Sequence, residues 1–213
     1  MFEVLKSGGI FMIPICLCAV IGIFIIIERF IFYFSIKKTD KKLLPELNEF
    51  LDKKNYDGAI AYCKASNTPL SRVLSRAIQC RNYTYETLKE TVMNEATLEI
   101  KVLEHFLTPL GTIANISTLL GLLGTVTGNI SAFGILGGGG TMGNPSVLAG
   151  AISEALITTA AGLIVSIPAL IFHNYFVSHV NKNLCQIESV SSELVIRLKN
   201  DLSKNNMGDK YEN

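Results

Sequence analysis

The stretch "NPSVLAGAISEALITTAAGLIVSIPALIF", residues 144–172, decides how the rest of the chain is read. It is apolar enough to cross a bilayer, yet Glu154 lies inside it. A carboxylate near the centre of a membrane helix costs about 2.5 kcal/mol or more. The Asn144-Pro145 pair starts a helix well: a capping residue, then a proline at the first helical position, where its missing N–H is no loss. Glu154 follows nine residues after that proline, roughly 13 Å along a helix. If the span began only at Ala151, Glu154 would be a headgroup residue instead.

Working outward, the third apolar run has two counterparts. Residues 10–27 carry no charge, and neither do residues 106–153. The second of these is interrupted by "GGGGTMGNPS", residues 137–146, a turn rich in helix breakers. A spanning helix needs about 20 apolar residues. Three spans follow, near 10–34, 110–136 and 146–176. The first run lacks a clear small-x-small cleavage site and leads into Glu28-Arg29 and further aromatic residues, so it reads as a span and not as a signal peptide.

Bulk composition agrees. Half of the 213 residues are apolar, and Lys+Arg against Asp+Glu stand at 19 to 18, which gives no basic surface for nucleic acid. The five cysteines are scattered, with no CxxC and no Cys/His cluster, so neither a metal site nor a disulfide framework is indicated. The glycine-rich turn follows no strand and is no phosphate loop, and no cofactor site is visible.

Arg29, Lys37, Lys38, Lys41 and Lys42 follow the first span, Lys182, Arg197 and Lys199 follow the third, and the glycine-rich turn is uncharged. The positive-inside rule puts the N-terminus outside, residues 37–105 and the C-terminal tail in the cytoplasm, and the turn outside. The expected class is an all-α integral membrane protein with three transmembrane helices and long helices reaching into the cytoplasm. Four regions follow: 1–36 with the first span, a cytoplasmic helical region 37–105, the second and third spans 106–181, and a cytoplasmic tail 182–213. Within 37–105, apolar residues recur at helical spacing, punctuated by Gly58 and Pro69. From Thr84, which starts a capping-box pattern, one long helix is expected to run into the second span with no break except Pro109. Its charges, Lys89, Glu90, Glu95, Glu99, Lys101 and Glu104, read as a solvated or inter-subunit face.

At about 100° per residue, the third span sorts into two faces. The side of Glu154 collects Val147, Gly150, Ala151, Thr158, Ala161, Gly162, Val165 and Ala169. The opposite side collects Leu148, Ile152, Leu156, Leu163, Ile167 and Leu170. Small faces let membrane helices approach closely, so Glu154 is expected to point into a protein-lined space. The second span carries a stripe of Thr118, Gly121, Thr125 and Asn129, together with the GxxxG pair Gly124 and Gly128. Any one hydroxyl can bond its own backbone; a whole stripe beside a carboxylate suits water or a proton relay.

A carboxyl group in an apolar wall is held towards its neutral form, because burial disfavours charge. Such a group takes up or releases a proton as its surroundings change. One charge crossing about 100 mV yields about 2.3 kcal/mol, enough to bias two packings of similar energy. Membrane protease chemistry is excluded on residues: Asp is absent from 58–200, there is no HExxH, and His105, His173 and His179 lie near span ends. A passive ion channel or secondary transporter subunit would use the same polar stripe, whereas a purely structural scaffold leaves Glu154 unexplained.

Two segments, "LLGLLGTVTGNISAF" and "AISEALITTAAGLIVSIPALIFHNYF", resemble the signature segments of the ExbB/TolQ/MotA proton-channel family, on the ExbB/TolQ side. The resemblance extends over nearly the whole chain, including the first span ending in Glu28-Arg29. It implies a stator subunit in the bacterial inner membrane, with no enzymatic activity. Five copies would surround the spans of an ExbD/TolR-like single-span partner that carries an aspartate, and work would pass to a TonB/TolA-like protein. The family's channel glutamate falls on Glu154, and its polar threonines on Thr125 and Thr159. The helical wheel instead favours Thr158 beside Glu154 and places Thr159 roughly 140° away, towards a neighbouring subunit. Where the family often has Ala-Pro, this chain has Ser117-Thr118.

Overall fold

The computed structural model describes residues 9–137 and 145–208; the glycine-rich turn and the Asn144 cap lie outside them. The described residues form six helices and no strand: α1 Met12–Asp52, α2 Tyr56–Ser66, α3 Pro69–Gln79, α4 Tyr85–Leu103, α5 Leu107–Gly137 and α6 Pro145–Gly208. Three stretches are long and apolar enough to cross a membrane, within Met12–Asp52, Tyr85–Gly134 and Ser146–Asp201. The protein is an all-α membrane protein.

Two helices are longer than the sequence pattern suggested. α1 has 41 residues and passes through Pro45, and α6 has 64 and passes through Pro168. At 1.5 Å per residue α6 is about 95 Å long, some three times the ~30 Å hydrocarbon core. The expected single helix from Thr84 into the second span is broken instead. α4 ends at Leu103 and α5 begins at Leu107. Between them Phe106 takes φ 64°, the left-handed conformation, which a bulky side chain rarely adopts and a helix cannot propagate. Pro109 is no breaker here: it sits in the first turn of α5, where its missing N–H has no intrahelical acceptor to lose.

The contacts divide the chain into two compact units. One comprises Met1–Arg29 with Phe106–Phe176, and the other Phe30–His105 with Val177–Asn213. In the first, apolar side chains are mostly on the outside: Ile23, Phe24, Leu119, Leu122, Ile130, Phe133, Ile164 and Ile171 are all exposed. Such surface is covered by lipid or by further protein. At the end of the first span Arg29 is 3% exposed. Its guanidinium bonds Glu28 at 2.6 and 3.0 Å and lies over the Phe106 ring at 5.5 Å, the pairing a buried cation requires.

The second unit packs as a soluble protein does. α3 starts with Pro69 behind a Thr68 capping box and buries Leu70, Val73, Leu74, Ala77 and Ile78. Full burial of each large aliphatic contributes about 1.5–3 kcal/mol. α4 starts with Thr84, whose hydroxyl accepts from the Thr87 N–H, and buries Leu88, Val92, Ala96, Glu99 and Leu103 at helical spacing. α6 contributes Ile187, Ser191, Leu194, Val195 and Leu198 to the interior. Gly58 does not interrupt α2; its N–H is bonded by the Asn55 cap in the first turn. Glu99, expected on a solvated or inter-subunit face, is buried within its own chain instead and takes both arms of the Arg72 guanidinium at 2.6 and 2.5 Å. A bidentate pair of this kind is the geometry that offsets desolvation best.

Asp40, on α1, is 8% exposed and accepts the Thr68 hydroxyl at 2.6 Å. Burial lifts its carboxyl above the ordinary aspartate value, and the Thr68 bond opposes this in part. The folded chain therefore holds this proton more tightly than the unfolded one. The contribution to stability is present at acid pH and is lost as pH rises from the unfolded value through the folded one. Asp40→Asn keeps an acceptor for Thr68 and removes the charge. It should raise the melting temperature of the detergent-purified protein by a few degrees at pH 7, and the gain should vanish below about pH 4, as followed by circular dichroism.

Candidate functional site

The site rests on α5 against α6, held by glycine and hydroxyl contacts. A Cβ on Gly162 would lie 2.5 Å from the Ser117 carbonyl oxygen and 3.0 Å from the Gly121 Cα. A Cβ on Gly121 would lie 3.1 Å from the Thr159 Cα. The two backbones touch here because neither residue has a side chain. Gly124 and Gly128 continue the seam, facing the Thr158 methyl and the Ala155 Cβ, each 2.5 Å from an added Cβ. Two hydroxyls cross it: Thr159 donates to the Gly121 carbonyl at 2.7 Å, and Thr118 to Ser166 at 2.6 Å.

Glu154 stands at one edge of this seam and is exposed in the single chain. Its carboxyl group opens onto a cavity of about 220 Å³. The polar lining comes from Thr127 and Ser131 on α5 and Thr158 on α6; Gly124, Gly128, Ala151, Ile10 and Phe11 close the rest. Thr158 is 1% exposed and donates to the Glu154 carbonyl at 2.8 Å, one turn back. Gly9, ahead of α1, has φ +65°, and a Cβ there would collide with the Glu154 carboxylate. The glycine thus answers both to the backbone angle and to the close approach of the acid. The arrangement places one ionisable group, two α5 hydroxyls and room for water in a wall otherwise made of small apolar residues.

The candidate residues fall into separate groups. Glu154, Thr158, Gly124 and Gly128 meet at the cavity. Gly121, Gly162, Thr159 and Thr118 meet in the seam. Thr159, expected towards a neighbouring subunit, is instead bonded to α5 of its own chain. Thr125 is half-buried and donates to its own Leu122 carbonyl at 2.7 Å; neither it nor the exposed Asn129 lines the cavity. A Cβ on Gly150 would meet nothing within 4 Å, so the folding of one chain makes no use of that glycine.

Sequence reasoning missed Thr127, Ser131, Ser166 and Ser117. Ser131 was within reach, since it extends the Gly124–Gly128 row by three residues. Ser117, in the pair that departs from Ala-Pro, is fully buried, and its hydroxyl has no hydrogen-bond partner among the described residues. α5 passes through Ser117-Thr118 without interruption. Farther along the pair, Gly111 makes room for His173, whose Nε2 would lie 3.0 Å from a Cβ at that glycine. Among the described residues, no group of His, Cys, Asp and Glu is placed to hold a metal ion.

Comparison with known proteins bears on the same segment. The MotA/TolQ/ExbB proton channel family matches residues 65–189, which include α5 and the membrane part of α6. A protein of Synechocystis sp. named biopolymer transport protein ExbB-like 3 is 32% identical over 190 residues, covering 88% of this chain and 90% of its own length. Biopolymer transport protein ExbB of Neisseria gonorrhoeae is 31% identical over 164 residues, covering 70% of this chain and 74% of its own. An ExbB homolog of Methanothermobacter thermautotrophicus is 24% identical over 189 residues, covering 88% of this chain and 67% of its own.

The seam makes a contrast testable with two alanines. Gly162→Ala forces a methyl group into the Ser117 carbonyl, a backbone atom that cannot swing aside. It should cut the amount of folded, extractable protein severely, by roughly the 1–3 kcal/mol of an overpacked contact. Gly150→Ala should leave that amount unchanged. Quantitative blots of detergent extracts, with thermal denaturation of what remains, check both.

Proposed function

The chain belongs to the MotA/TolQ/ExbB proton channel family, and on that premise we propose that it is the channel-forming stator subunit of a motor that turns the proton motive force into mechanical work on the cell envelope. Glu154 is the proton-carrying group of this chain. The observation that carries the reading is the position of its carboxyl, at the rim of a glycine-lined helix seam and open to a cavity with hydroxyls on it. An acid used only for packing would be closed in by its own chain.

The rest of the reading rests on surfaces and charge. Only 22% to 28% of the residues in the three most apolar windows are buried within one chain. The remainder suits a homo-oligomer, five copies by resemblance to the family, whose inner wall is built from α5 and the membrane part of α6. The exposed face of Glu154 would then meet the membrane helix of an ExbD/TolR-like partner that carries its own aspartate. Motion of partner against ring would pass to a TonB/TolA-like protein. The inner membrane of a bacterial cell is the expected location, with the N-terminus periplasmic and the C-terminus cytoplasmic, as the distribution of Lys and Arg supports. Thr158, Thr127 and Ser131 hold water or pass a proton beside Glu154. Thr159 acts as a positioning residue through Gly121, and Thr125 faces outward from the cavity, towards a neighbouring copy.

Glutamine matches a protonated glutamate in shape and hydrogen-bonding capacity but cannot ionise. Glu154→Gln should therefore assemble in normal amount and fail to support any process that depends on the proton motive force, while Glu154→Asp retains part. Native mass spectrometry of the extracted complex should give five copies for wild type and Glu154→Gln alike. Full function in an assembled Glu154→Gln complex would make Glu154 a packing residue, and a clean monomer or dimer would remove the ring.

A further inference from the structure

Outside the site, a cluster of lysines stands where α1 leaves its apolar stretch. Lys37, Lys38, Lys41 and Lys42 are all exposed, and none forms an ion pair among the described residues. Residues 30–45 contain a single carboxylate, Asp40. It is turned to the interior, where it accepts the Thr68 hydroxyl, so it does not neutralise the cluster. A second helix adds to the same charge. Lys182 on α6 is exposed, and it and Lys37 both act on the imidazole of His179. Burial first, then Lys182 and Lys37, hold that histidine below its usual range. The two helices meet at that histidine, whose ring lies 5.6 Å from the Tyr33 ring of α1, so Lys37 and Lys182 flank one contact.

The surface just before the cluster is apolar. Phe30, Ile31 and Phe34 are 54%, 65% and 68% exposed. Phe30, Phe34, Lys37 and Lys41 recur at steps of three and four on one continuous helix, so aromatic rings and lysines share one stripe. From Phe34 to Lys41 the helix rises about 10 Å. The headgroup zone is about 5–8 Å deep on each side of the ~30 Å hydrocarbon core, and a lysine stem can bend back over the difference. A soluble anion would account for the lysines alone. A molecule with a phosphate at one end and acyl chains at the other accounts for the lysines and the exposed rings together.

We propose that Lys37, Lys38, Lys41 and Lys42, joined by Lys182, form a binding surface for the phosphate headgroups of anionic phospholipids, whose acyl chains lie along Phe30, Ile31 and Phe34. The ligand class is a phosphatidylglycerol-type lipid in the leaflet where residues 37–42 emerge. The surface is independent of the role of Glu154. It gives the protein a preference for anionic lipid and fixes the depth at which α1 sits.

The test uses the full chain in its extracted complex, reconstituted in phosphatidylcholine nanodiscs with trace spin-labelled phosphatidylglycerol or spin-labelled phosphatidylcholine. Both leaflets are accessible, so orientation does not affect the readout. The fraction of immobilised label should favour phosphatidylglycerol severalfold at low salt, and the preference should shrink at high salt. Replacing Lys37, Lys38, Lys41 and Lys42 together by Gln should abolish most of the preference. Replacing all four by Arg should keep it, and Lys89→Gln, on α4, should leave it unchanged. Equal affinity of the wild type for both lipids would overturn the proposal. So would an undiminished preference in the glutamine variant, or displacement of the label by soluble glycerophosphoglycerol at matching concentration, which would indicate a site for free phosphate.

Discussion

Backbone contact between α5 and α6 at Gly121 and Gly162 is the constraint on which the membrane unit depends. In lipid there is no hydrophobic force to bring two apolar helices together, so close packing and interhelical hydrogen bonds must do it. Here the seam is built from Gly121, Gly124, Gly128 and Gly162, and it is crossed by Thr159 to the Gly121 carbonyl and Thr118 to Ser166. Helices this close leave no room between them for a carboxylate. Glu154, one helical turn before Thr158, is therefore displaced to the rim, where the cavity and the backbone of Gly9 receive it. The position of the acid follows from the tightness of the seam.

The two units solve different problems with the same helices. The unit of Phe30–His105 and Val177–Asn213 buries Leu70, Leu74, Leu88, Leu103 and Leu198 in its own interior and ties Arg72 to Glu99 within it. The unit of Met1–Arg29 and Phe106–Phe176 keeps most of its large side chains outside, a surface that lipid or further protein covers. Stability of a single chain in water and completeness in a membrane are separate matters, and this protein divides them along the chain.

Much of this was legible in the sequence. The three apolar stretches follow from apolar runs of sufficient length, and the small face of α6 follows from the wheel. The break before α5 was not legible, because it is made by Phe106 at positive φ, a conformation that no Gly or Asn advertises. Pro109 was visible and misleading, since a proline three residues into a helix breaks nothing. The continuity of α1 through Pro45 and of α6 through Pro168 was equally hidden. The wheel gave the angle of Thr159 but not what stands opposite it. That partner, a carbonyl exposed by the missing side chain of Gly121, depends on the register of two helices. Thr127 and Ser131 lie about 140–180° around α5 from the stripe of Thr118, Thr125 and Asn129, so that stripe does not reveal them.

The proton exchange proposed for the Glu154 carboxyl is open to direct spectroscopic measurement. Infrared difference spectra would be recorded on the complex reconstituted with its partner, before and after a proton gradient is imposed, for wild type and Glu154→Gln. With Glu154 as the proton carrier, a protonated-carboxyl C=O band changes on energisation in the wild type and is missing from the variant. An identical band in both proteins, or no carboxyl change in an energised wild type, would contradict it.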